Sequence, residues 1–82
     1  NPFNRGTMIR LDLLRSQDVD LALYNITGQR ITSLINGYRE AGTYILHWDG
    51  RDAQGQALAS GVYLYRLRTR RQVETRKLLL LR

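Results

Sequence analysis

The chain of 82 residues contains no cysteine, so no disulfide braces it and no thiolate is available for catalysis or metal binding. A lone histidine excludes a multi-histidine metal centre. No apolar run exceeds the four leucines of residues 78–81, far short of the ~20 residues that a membrane-spanning helix requires. The opening residues, NPFNRGTMIR, lack the apolar core of a secretory signal, so any such signal lies upstream. Acidic residues are few: 7 against 13 basic ones, for a net charge of +6. Twelve of the basic residues are arginine and one is lysine. That balance favours anionic partners such as lipopolysaccharide, acidic glycans or nucleic acid, and it also simply keeps a small chain soluble. A chain this short makes one small domain, residues 1–82, that buries only about 60% of its unfolded surface.

What is present is alternation. Ile9, Leu11 and Leu13 share one face, with Arg10 and Asp12 on the other. Val19-Leu21-Leu23, Tyr44-Leu46-Trp48 and Tyr63-Tyr65-Leu67 repeat the pattern. Period two over four to eight residues, rich in branched and aromatic side chains, is a strand signal. Turn chemistry separates the runs: Thr27-Gly28-Gln29, Asn36-Gly37, Ala41-Gly42, the polar stretch of residues 49–55, and Arg70-Arg71-Gln72. Strands are expected at residues 7–14, 18–26, 30–35, 42–48, 57–68 and 73–81, with a break near Ser60-Gly61 left open. Residues 30–39 also carry a helix-like spacing in Ile31, Leu34 and Ile35. Six or seven short strands with turns between them predict an all-β, antiparallel sandwich.

Few residues carry chemistry. His47, Asp49, Asp52 and Ser60 are the residue types of a hydrolase triad, but nothing resembles a nucleophile elbow. Residues 49–55 offer Asp49 and Asp52 to calcium at a spacing unlike that of an EF-hand loop. Aspartates that bond nearby backbone amides explain that loop more simply. No enzyme, metal or cofactor is expected. Asn25-Ile26-Thr27 fits the N-glycosylation pattern, at a position where asparagine also suits the turn. Arg66, Arg68, Arg70 and Arg71 form a basic stripe able to contact an anionic surface. Exposed aromatics or a reading helix are missing from it, so nucleic acid is not expected. Trp48 and the tyrosines raise carbohydrate stacking, but their shared phase points to the core.

Four segments together resemble a known family. NPFN followed by TMIRLDL resembles its opening. VDLALYNITGQRITSL resembles its second signature, a strand ending in Tyr-Asn before a Gly-Gln turn. AGTYILHWDGRDAQGQALASGVYLYRL resembles its third, with Gly-x-Tyr, Trp-Asp-Gly and Ser-Gly-Val-Tyr. TRKLLLLR resembles its terminal Thr-x-Lys, apolar run and final basic residue. The family is the immunoglobulin-like group that includes the type A C-terminal sorting domain of the type IX secretion system and the immunoglobulin-like domain of the flagellar hook-capping protein. Arg5-Gly6 departs from its usual Pro-Ser.

The resemblance implies an immunoglobulin-like β-sandwich of six to seven strands. It implies a non-catalytic address that carries an N-terminally attached cargo through an outer-membrane translocon. A sortase-like peptidase then removes the domain, and the cargo is released or joined to anionic lipopolysaccharide. The expected locations are the periplasm in transit, then the cell surface or medium. Lys77, Leu78, Leu79, Leu80, Leu81 and Arg82 would form the recognition strand, and Gly42, Tyr44, Gly61 and Tyr63 match the family's Gly/Tyr motifs. The alternatives are a structural immunoglobulin-like module of an extracellular enzyme or flagellar protein, and a glycan-binding module. The terminal strand can sit between neighbours, its outer leucines covered by the preceding loop or a companion domain, or it can offer an edge that pairs with a receptor sheet.

Overall fold

The computed structural model describes residues 6–81, so the NPFN opening and Arg82 lie outside the described residues. Six strands follow in order: β1 (Thr7–Leu13), β2 (Gln17–Tyr24), β3 (Arg30–Arg39), β4 (Gly42–Trp48), β5 (Gly61–Arg68) and β6 (Val73–Leu80). They form two antiparallel layers. One is four-stranded in the order β3-β2-β5-β6, and the other pairs β1 with β4. The sandwich predicted from the alternation is therefore present, with its core between the layers.

That core collects the inward residues of every strand. Ile9, Leu11 and Leu13 come from β1, Val19, Leu21 and Leu23 from β2, Ile35 from β3, Trp48 from β4, Leu67 from β5 and Leu80 from β6. Each fully buried leucine contributes roughly 1.5–3 kcal/mol of burial. Trp48 and Tyr63 meet edge to face, with ring centroids 5.3 Å apart and an interplanar angle of 74°. The indole N–H donates to the Arg51 carbonyl at 2.9 Å, which satisfies the one polar atom of a ring that is 2% exposed. Of the aromatics predicted as core, Trp48 is buried, and Tyr44, Tyr63 and Tyr65 pack half-buried against the core.

Two expectations are corrected. Residues 30–39 are neither a helix nor a short strand with an Asn-Gly turn: β3 runs through Asn36 and Gly37, which pair with Asp20 and Val19. The helix-like spacing has a cause. Register shifts fall between Leu21 and Ala22 and between Leu23 and Tyr24, so Leu34 and Ile31 have no place in the one-to-one register. The two bulges leave Ile31, Leu34 and Ile35 all packed on the core. The chain turns instead after Arg39, where the Ala41 amide donates to Ser16 Oγ at 2.8 Å.

The strand expected over residues 57–68 begins only at Gly61, and the break left open at Ser60-Gly61 is real. Ala57 forms an isolated bridge to Arg51, which closes the preceding loop instead. The loop then docks on the free side of β3, with the Ala53 amide donating to the Ile31 carbonyl at 3.3 Å. Finally, β6 does not sit between neighbours. Among the described residues it pairs only with β5 and forms one edge of the four-stranded sheet.

Candidate functional site

The terminal strand divides its leucines between two faces. Leu78 lies opposite Tyr63 and packs on the core, and Leu80 lies opposite Gly61 and is fully buried. Leu79 lies opposite Val62 on the outer face and is 54% exposed, while Leu81, just past the strand, is 65% exposed. Lys77 is exposed opposite Leu64. A cover over the outer leucines is therefore absent among the described residues. Leu79 and Val62, with the half-buried Leu64, make a small apolar patch on the outer sheet face.

Further back along β6, the core-facing positions are Glu74 and Arg76, opposite Leu67 and Tyr65. Both are exposed, because the two-stranded layer is narrower than the sheet it covers. A groove of about 430 Å³ opens there between β1 and β6. Its walls include Ile9, Leu11, Leu21 and Leu67, and its charged lining includes Arg10, Asp12, Glu74 and Arg76. Asp12 accepts from the Thr43 hydroxyl at 2.8 Å and from Arg10 at 3.3 Å. The Thr43 bond, opposed by partial desolvation and aided by Arg10, holds its carboxyl below the ordinary value of 3.8.

The two Gly-x-Tyr motifs build the same device twice. The Tyr44 hydroxyl donates to the Glu40 carbonyl at 2.6 Å, and the Tyr63 hydroxyl donates to the Ala59 carbonyl at 2.7 Å. Each ring thus packs on the core and ties its strand back to the turn four residues upstream. Gly42 and Gly61 are the first residues of β4 and β5. These four residues are structural pins, resembling the tyrosine corner of immunoglobulin folds.

The turn roles expected of Asn25 and the loop aspartates are present, and they form a second repeated device whose repetition escaped the sequence reading. Asn25 Oδ1 accepts the amides of Thr27 and Gln29 at 3.1 and 2.9 Å, and Asp52 Oδ1 accepts those of Gln54 and Gln56 at 3.0 and 2.9 Å. In both loops the glycine amide three residues on donates back to the first residue's carbonyl at 3.0 Å. Gly28 and Gly55 adopt φ of 93° and 83° there, the left-handed region that side chains disfavour. The shared pattern is Asn/Asp-x-x-Gly-Gln, visible in NITGQ and DAQGQ.

These turns absorb the chemistry-bearing candidates. Asp52 holds its own loop, and Asp49 accepts the Arg51 amide at 3.1 Å. His47 is exposed on the outer face of β4, opposite Met8 and away from the loop carboxylates' hydrogen bonds. No group of three or more His, Cys, Asp or Glu able to hold a metal occurs among the described residues. The Asn25 side-chain amide donates to Gln29 Oε1 at 2.8 Å, so the glycosylation asparagine is engaged in its turn.

The basic stripe does not stay together. Arg66 lies over the Tyr24 ring at 4.6 Å and donates to its hydroxyl at 2.6 Å, while Arg68 is exposed on the same outer face. Arg70 and Arg71 leave the sheet in the turn after β5, which Thr69 Oγ1 caps by accepting the Arg71 and Gln72 amides at 3.3 Å. There they join Arg15 and the exposed Tyr38 around a shallow basic depression at one end of the sandwich. Arg15 is its unforeseen member, brought in by the β1–β2 connection.

The sequence matches the family model described as FlgD Ig-like domain over residues 4–72, ending one residue before β6. Among solved structures it is similar to that of FLGD from P. aeruginosa, with a TM-score of 0.70 and 25% sequence identity. The likeness covers 92% of this chain and 58% of that one, so the chain spans somewhat more than half of that protein's length. A search of curated proteins finds no match.

Proposed function

The chain belongs to the FlgD Ig-like domain family, and on that premise we propose that it is a non-catalytic structural module of a longer protein, of the hook-capping kind. The observation that carries this reading is where the side chains are spent. The residue types suited to catalysis, Asp49 and Asp52, are engaged in holding turns. The family's Gly/Tyr positions pin strands to turns. The faces remaining are strand edges, an apolar outer patch and a basic end, which suit contacts with other protein domains. Deleting these 82 residues from a protein that carries them should alter its assembly and leave the turnover of any attached catalytic domain unchanged. A catalytic activity lost on deletion and reproduced by the isolated chain would sink the proposal.

A second reading is favoured by one observation, the exposure of Lys77 and Leu79 on the edge strand β6 and of Leu81 just past it. In this reading the chain is a type IX sorting domain. The translocon reads those residues, a sortase-like peptidase removes the domain, and Arg70 and Arg71 face anionic lipopolysaccharide. The test replaces Leu79 and Leu81 by lysine in a reporter fusion. Truncating residues 76–82 would be uninformative, because it strips Leu80 from the core.

A further inference from the structure

We propose that the free edge of β6 is a self-complementary surface, and that its partner is a second copy of this chain. The free edge of β6 presents backbone groups that pair with no other strand among the described residues. Such an edge accepts an added strand. Charges on its inner side ordinarily repel one. Here their order selects a particular strand. An antiparallel copy of β6 centred on Thr75 sets Glu74 against the partner's Arg76 and Arg76 against the partner's Glu74. Sliding the copy by two residues either way opposes like charges at the centre. Sliding it by one puts core-facing residues opposite outward-facing ones.

A two-fold axis through Thr75, perpendicular to the sheet, extends the four-stranded sheet across the pair. β1 is set back from that edge, because its layer is narrower than the sheet it covers, so Arg10 and Asp12 line the groove beside the pair without joining it. Closed pairing of this isologous kind is the commonest form of self-assembly. In the single chain Arg76 pairs with Glu74 along its own strand at 3.8 Å. Both side chains are at least 48% exposed, so exchanging partners costs little.

This inference goes beyond the proposed function and is tested separately, by sedimentation equilibrium of the 82-residue chain from micromolar to millimolar concentration. The expected result is a monomer–dimer equilibrium that weakens as salt is raised. Glu74→Arg and Arg76→Glu each place like charges across the axis twice, and each should raise the dissociation constant roughly tenfold or more. The double variant E74R/R76E restores opposite charges and should return the constant to about that of the parent. Thermal melts of the three variants check folding. A chain that stays monomeric throughout the range overturns the proposal and leaves the edge to a strand of another protein. So do single variants that associate like the parent, or a double variant that fails to recover.

Discussion

Truncating Leu80 and Leu79, adjacent in sequence, should have sharply different costs. Leu80 is 0% exposed and belongs to the core cluster. Leu80→Ala removes buried methyl groups and leaves a cavity, at a cost of about 2–5 kcal/mol. At roughly 0.05–0.15 kcal/mol per residue, the whole fold is worth on the order of 4–12 kcal/mol. A loss of about 3 kcal/mol would lower the melting temperature by roughly 12–24 °C in a domain this small. Leu79 is 54% exposed on the outer face, and Leu79→Ala should cost no more than about 0.5 kcal/mol. Urea denaturation followed by tryptophan fluorescence reads both, because Trp48 is buried in the same core. The midpoint should fall steeply for Leu80→Ala and barely for Leu79→Ala, with the slope unchanged. Equal losses, or a larger loss at Leu79, would refute the register that places Leu80 opposite Gly61.

Other perturbations have equally definite outcomes. Tyr63→Phe and Tyr44→Phe keep the rings and lose the bonds to the Ala59 and Glu40 carbonyls, and each should cost about 0.5–1.5 kcal/mol by chemical denaturation. Gly55→Ala and Gly28→Ala force a side chain into φ of 83° and 93°, and each should destabilise by about 1–2 kcal/mol although neither site is crowded. Asp12 titrates below its ordinary value of 3.8 in the folded chain, so the Thr43–Asp12 bond supports folding above that pH and is lost as pH falls through the folded value. Thr43→Val should therefore lower the melting temperature near neutrality and have little effect well below pH 3.8.

The strands were legible in the sequence because a half-buried strand must alternate, and Ile9-Leu11-Leu13 or Val19-Leu21-Leu23 do so cleanly. β3 was harder. Its two bulges put Ile31, Leu34 and Ile35 on one side, which imitates a helix, and cross-strand pairing with β2 overrode the Asn36-Gly37 turn signal. Strand order was not legible, since local pattern records which residues face inward and not which strand lies alongside. That is why the pattern leaves open whether β6 sits between neighbours or at the edge where it is found. The inward charges Glu74 and Arg76 are the trace of that edge position: a core-facing acid and base four and two residues before the leucines mark where the opposing layer stops. The scattering of the arginines has a similar origin. Arg66 and Arg68 follow the strand period, while Arg70 obeys the turn that Thr69 caps.

The central claim is that the chain is a structural module and that its terminal strand is part of the fold first. The most direct measurement is export of a fluorescent reporter fused to residues 1–82, in a host with a type IX system, beside the same fusion carrying Leu79→Lys and Leu81→Lys. The account predicts that both fusions fold and that neither reaches the surface or the medium. Export of the unaltered fusion, abolished by the two lysines without unfolding, would contradict it and make the outer leucines an address.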